Sequence, residues 1–138
     1  MADGYLTAAQ AGVRAALVAD LSVAGLVGTR VVDEPGENIQ LPYVRFGRSE
    51  VAADDAGSTL GAIVQFGLEV HSRPGRAGKV EAARICEAVS TALHKRPDAV
   101  AAEGFQVTEV EIQTWYVVRA RNGTDYEGRL ALQVHLDA

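Results

Sequence analysis

Cysteine is almost missing from this chain. Of 138 residues only Cys86 carries a thiol, so neither a disulfide framework within the chain nor a cysteine-built metal cluster can hold it together. Aromatic residues make up 6%, with one tryptophan, and prolines number four. No apolar run approaches the ~20 residues that cross a bilayer, and the opening Met1-Ala2-Asp3-Gly4-Tyr5 has neither a basic nor an apolar leader segment. The expectation is a soluble chain made in the cytosol, with no membrane partner. Positive charge is also short: 13 Lys and Arg against 18 Asp and Glu leave a net charge of -5, which argues against tight wrapping of nucleic acid, since that rests on cations neutralising phosphates. Catalytic motifs are missing as well. The chain has no glycine-rich phosphate loop ending in Lys-Ser/Thr, no His-Glu-x-x-His and no Gly-x-Ser-x-Gly. No catalytic residue, cofactor or metal ligand is therefore expected.

What is present is hydrophobic pattern, clearest between residues 63 and 93. Val64, Phe66, Leu68 and Val70 alternate with Gln65, Gly67, Glu69 and His71, which is the period of a half-buried strand. From Lys79 to His94 the period changes. Ala82, Ile85, Cys86, Val89, Ala92 and Leu93 recur at three- and four-residue steps, opposite Glu81, Arg84, Glu87 and Ser90, so a helix carries one apolar stripe. Laying that stripe on the apolar strand face buries both and seeds a two-layer sandwich. Cys86 falls on the stripe, where a small core residue is expected.

The flanking segments extend this unit. Thr7 with Gln10 has the capping-box spacing for a first helix, with Ala9, Val13, Ala16, Leu17 and Leu21 as its stripe. Ser22 opens a short second helical turn that Gly28 ends. Residues 30–33 form a short strand, and Tyr43 to Glu50 a second, with Val44 and Phe46 inward and a bulge at Gly47. Val51 to Gly61 is small and polar, an extended loop in which Asp54 and Asp55 are solvated rather than a cation site. Phe105 to Val118 forms a long strand whose apolar phase slips from odd to even numbers, and a bulge near Thr108 repairs it. On that reading Val110, Ile112, Tyr116 and Val118 face inward, and Trp115 shares the polar face with Gln113 and Val117. Asn122-Gly123 marks a turn, and Leu130, Leu132, Val134 and Leu136 alternate in a closing strand. At this length the chain forms one domain, 1–138, burying about 70% of its unfolded surface. The fold class is α+β: a two-layer sandwich with a mostly antiparallel sheet of four to five strands and two main helices on one face.

This order of elements resembles the tail terminator, or tail completion, proteins of long non-contractile-tailed phages and of gene transfer agents. The resemblance is carried by Leu17-Val18-Ala19-Asp20, by Leu26-Val27-Gly28-Thr29-Arg30-Val31, by Leu41-Pro42-Tyr43-Val44 with Gly47, by Val70-His71-Ser72-Arg73 with Gly75-Arg76 opening the helix that ends at Ala92-Leu93, and by the closing hairpin. The departure lies in that hairpin, which has Asn122-Gly123 and Glu127-Gly128 where such proteins have an acidic-Gly turn and a His-Gly. The resemblance implies a homo-oligomeric ring, usually a hexamer, on the head-proximal end of the tail tube in a virion. There it stops tube growth and meets a tail tube protein and a head-tail connector protein. DNA passes through without specific binding, and no reaction is catalysed.

Placed on such a ring, Arg73, Arg76 and Trp115 are expected at the subunit interface. Asp54, Asp55, Gly57 and Ser58 are expected to meet an axial partner, and Glu69, Glu109 and Glu111, on the polar sheet face, to line the channel. Two other readings remain open. The chain could serve as another neck or tail-tube component, or as a small ligand-binding or enzymatic domain in which His71 and His135 act as acid and base on the polar face with Glu69 and Trp115.

Overall fold

A computed structural model describes residues 4–55, 60–73 and 79–138. Helix α1 spans Tyr5–Ala19 and α2 spans Leu21–Val27. Strands β1 (Val31–Val32), β2 (Tyr43–Ala53) and β3 (Gly61–Ser72) lead to helix α3, Val80–Leu93, and a 3-10 turn at Pro97–Ala99 precedes β4 (Gln106–Arg119) and β5 (Tyr126–Asp137). The sheet order is β1-β2-β3-β5-β4. All neighbours are antiparallel except β1, which runs parallel to β2. The helices pack on one side of this sheet, giving the expected α+β sandwich.

The β3–α3 unit forms as its periodicity requires. Val64, Phe66, Leu68 and Val70 are buried, and so is every residue of the α3 stripe. Cys86 sits in that stripe, and burial pushes its thiol up to about 12, so it stays a neutral packing group at neutral pH. α1 adds Ala9, Val13 and Leu17 to the same core. Its start differs from expectation. Gly4 is the N-cap, without a side-chain bond, and Thr7 lies inside the helix, because the apolar contact of Tyr5 with Phe105, centroids 4.6 Å apart, favours winding one more turn. Asp20, not Ser22, opens α2, its carboxylate accepting from the Val23 amide at 3.0 Å. The two helices meet at 85°, and that bend swings Leu21 out of the stripe to 89% exposure. Gly28 ends α2 at φ 61°, a backbone angle glycine adopts without strain.

Two strands differ from their expected course. β2 continues through Ala53, with Val51 opposite Val64 and Ala53 opposite Ala62, so Val51 to Ala53 belong to the strand and not to the expected loop. Backbone pairing alone extends it there, since residues 50–53 are all exposed. In β4 the bulge at Thr108 is present, as is the one between Phe46 and Ser49 in β2. A second β4 shift between Ile112 and Thr114 reverses the phase again. Trp115 and Val117 therefore pack against the core, while Tyr116 and Val118 stand exposed on the opposite face. The alternation expected beyond Gln113 is inverted, and Trp115 is not on the polar face.

Gly128, opposite Val70 and Val117, lets α3 settle onto the sheet, because a Cβ there would collide with Cys86 Sγ and crowd Val70. Gly128→Ala is expected to cost about 1–3 kcal/mol, the usual range for overpacking. In a Cys86→Ala background the same change should cost less. Urea unfolding of the four proteins reads both values; additive costs would locate the strain elsewhere.

Candidate functional site

The sheet face turned away from the helices is a broad surface built from β2, β3, β5 and β4. Register places Tyr43, His71, Glu127 and Val118 in one row across it, and Arg45, Glu69, Arg129 and Tyr116 in the next. Farther along come Glu50, Gln65, Gln133 and Glu111, and then His135 with Glu109. The face carries more carboxylates than guanidinium groups, so the expected acidic lean holds, with Glu69, Glu109 and Glu111 on it. Glu127 and Tyr116 also belong to it but escaped the sequence reading. Glu127 precedes the alternating run that marks β5, and Tyr116 was hidden by the second bulge.

At one end the charges close on one another. The Arg129 guanidinium donates to Glu127 at 2.6 Å and reaches Glu69 at 3.5 Å, while His71 Nε2 donates to Glu69 at 3.0 Å and Nδ1 lies 3.9 Å from Glu127. The Tyr43 ring stacks on His71 with centroids 4.8 Å apart. These partners satisfy each other. His135 instead lies opposite Ile63, eight positions along β3 from His71, which is about 26 Å at strand rise. The two histidines cannot exchange a proton, and the expected acid-base pair has no geometry. Between them, Gly67, Thr114 and Ala131 floor a groove of about 270 Å³ walled by Arg48, Gln65, Tyr116 and Arg129. It contains no histidine. Among the described residues no three metal-ligating side chains converge; Asp55 instead accepts from the Gly61 amide at 3.4 Å and closes its own turn.

The residues expected at an interface separate. Arg73 leaves the end of β3 and donates to Asp125 at 3.2 Å, pinning the β4–β5 hairpin within the chain. Trp115 is half-buried on the helix side. Arg76, Gly57 and Ser58 lie outside the described residues. Two further bonds fix neighbouring segments: Ser72 Oγ donates to Glu81 at 2.6 Å, and His94 Nδ1 accepts from the Ile112 amide at 3.0 Å. The second ties the end of α3 to the edge of β4, a contact that helix-terminal chemistry alone does not announce.

Asp125 is held below the usual carboxylate range, first by the Asn122 amide and then by Arg73. A depressed folded-state value adds stability above the unfolded value, which is lost as pH falls through the folded one. Asn122→Ala should therefore raise the Asp125 midpoint more than Arg73→Ala does, read from its carboxyl signal by NMR titration. The reverse order would make the cross-chain ion pair the main support.

A profile of the family described as tail completion protein gp17 matches residues 11–136. Among solved structures, a chain from the virion of a native gene transfer agent particle shares the fold with a TM-score of 0.84 and 25% identity, covering 99% of this chain and 100% of that one. No curated protein sequence matches significantly. The match runs from α1 through β5, and so takes in both the helix layer and the surface just described. The chain belongs to the tail completion protein gp17 family, and is a structural component of a phage-type tail.

Proposed function

We propose that this chain forms a ring, a hexamer by family resemblance, that caps the head-proximal end of the tail tube, stops its growth and joins it to the head connector. The family match over residues 11–136 carries this reading, and the geometry supports it in two ways. The sheet has one face covered by helices and one left open and acidic. With the helices outward, Glu69, Glu109 and Glu111 face the channel, where carboxylates repel phosphates and keep passing DNA from sticking, whereas a basic wall would retain it. The β2–β3 and β4–β5 turns, carrying Asp54 with Asp55 and Asn122 with Asp125, end the sheet at opposite sides. Each then offers a rim to one axial partner, the tail tube protein or the head-tail connector protein. A role in catalysis finds no support in this arrangement.

Particles assembled without the chain should carry tails of uncontrolled length that fail to join heads, and wild-type protein should restore both. Glu109→Lys with Glu111→Lys should also restore length and joining, but slow DNA delivery, most at low salt where charge is least screened. Tails of normal length without the chain would overturn the capping role. Loss of rings in the double variant would make this face a subunit interface, and delivery unchanged at every salt concentration would remove the acidic face from DNA passage.

A further inference from the structure

The sheet has two edges left open. β1 covers β2 only at Val44 and Arg45. From Ser49 to Ala53 the outer side of β2 has no hydrogen-bonded partner among the described residues. On β4 the outer side is covered at Val110, whose carbonyl accepts from the Lys95 amide, and at Ile112, whose amide donates to His94. Beyond the Gln113 bulge, among the described residues, nothing covers it. Native sheets protect such edges with charged side chains, proline or bulges. Here the bulges stop at the borders of the open stretches, the only charges within them are Glu50 and Arg119, and Val51, Tyr116 and Val118 on them are 44%, 54% and 42% exposed.

The directions of the free groups follow from the ladder. β5 keeps unbroken register with β3, and residues facing away from a neighbour alternate along an antiparallel pair. Val110 and Ile112 face out, opposite Val134 and Leu132. Trp115, Val117 and Arg119, opposite Leu130, Gly128 and Tyr126, therefore also turn their N–H and C=O groups outward. On β2 the Val44 amide faces out, to Arg30. Counting past the bulge, Ser49, Val51 and Ala53, opposite Phe66, Val64 and Ala62, do the same. Each open edge thus offers three outward residues, and both triplets point their side chains to the helix side.

Resting on the ring reading above, we propose that β4 of one copy pairs antiparallel with β2 of the next, Val117 opposite Val51, so that the sheet continues from subunit to subunit. Four independent features fit. β2, β3, β5 and β4 alternate in direction, so a neighbour related by rotation around the ring presents its β2 antiparallel to β4. Hydrogen-bonded partners in an antiparallel ladder share a face, and both triplets lie on the same one. Val117 is level with Val70 and Val51 with Val64, a stagger of six residues. That is about 20 Å over a four-strand width of about 19 Å, and it tilts the strands by about 45°, near the tilt that closed barrels need. Past Ala53, the pairing carries Asp54 and Asp55 towards the neighbour's Ile112 edge, where Arg96 is exposed beside Lys95, itself 3.6 Å from Glu111 of its own chain, so the aspartates meet a cationic side chain. The contact is heterologous, as ring closure requires.

The test is a cysteine pair in the full chain, Val51→Cys with Val117→Cys, assembled, mildly oxidised and read by non-reducing electrophoresis and native mass spectrometry. Hydrogen-bonded partners sit about 5.5 Å apart at Cα, within disulfide reach. In one chain the two positions occupy opposite edges of the sheet and cannot meet, and Cys86 is buried. Loss of the monomer band into a ladder ending at the ring number is expected, with no ladder from Ala52→Cys with Val117→Cys, whose side chains point to opposite faces. Rings without the ladder would overturn strand pairing and leave the ring intact, whereas protein that stays monomeric even on purified tail tubes would overturn both. Dimers from either single variant would mean isologous edge pairing, and a ladder from the Ala52 pair would overturn the register.

Discussion

The apolar side of β3 can be kept from water only by a second layer, and the helices supply it: α3, whose stripe is wholly buried, lies across β3, β5 and β4, and α1 lies across β2 and β3. Burying side chains such as Phe66, Leu68, Ile85 and Leu93 stabilises the fold by about 1.5–3 kcal/mol each. β3 is also the middle strand of the sheet, with long neighbours on both sides, β2 and β5. Its pairing therefore sets the height of every other strand. At Gly128 the sheet comes close enough to Cys86 that no side chain fits between them.

That unit was legible in the sequence because its two periods are unbroken: every second residue in β3, every third or fourth in α3. Where the period breaks, the reading failed in a regular way. A bulge shifts the phase by one, and in β4 there are two. The first shows as a slip between Val107 and Val110. The second leaves Trp115-Tyr116-Val117-Val118 apolar on both faces, so nothing in the pattern says which face is buried. β2 beyond Glu50 was missed for the opposite reason: its backbone is paired with β3, but neither face is covered, so its side chains carry no hydrophobic signal. Contacts between distant positions, such as Arg73 with Asp125 or Ile112 with His94, leave no local trace at all. Strand alternation puts Glu69, Glu109 and Glu111 on the open face, as the pattern says, whereas the second bulge turns Trp115 to the helix side, against it.

The same features that escaped the sequence give the surface its meaning. An open sheet of alternating strands has two ends that must be closed or covered, and this one covers each end over only part of its length. The covered and uncovered parts are displaced along the strands, β1 guarding one end of β2 and the segment after α3 guarding the opposite end of β4. Such a displacement is wasteful in a monomer. In a ring of tilted subunits it brings one molecule's free edge to another's. On the proposed ring, the acidic open face would form the inner wall, and the helices, packed on the other side, the outer one.

The most direct test is a reconstruction of the tail end of an assembled particle at a resolution that traces strands. The account predicts this chain between tail tube and head connector, with α1 and α3 outermost, the sheet running without interruption between subunits, and Glu109 and Glu111 facing the channel. Helices lining the channel, or the chain located away from the head-proximal end of the tube, would contradict it.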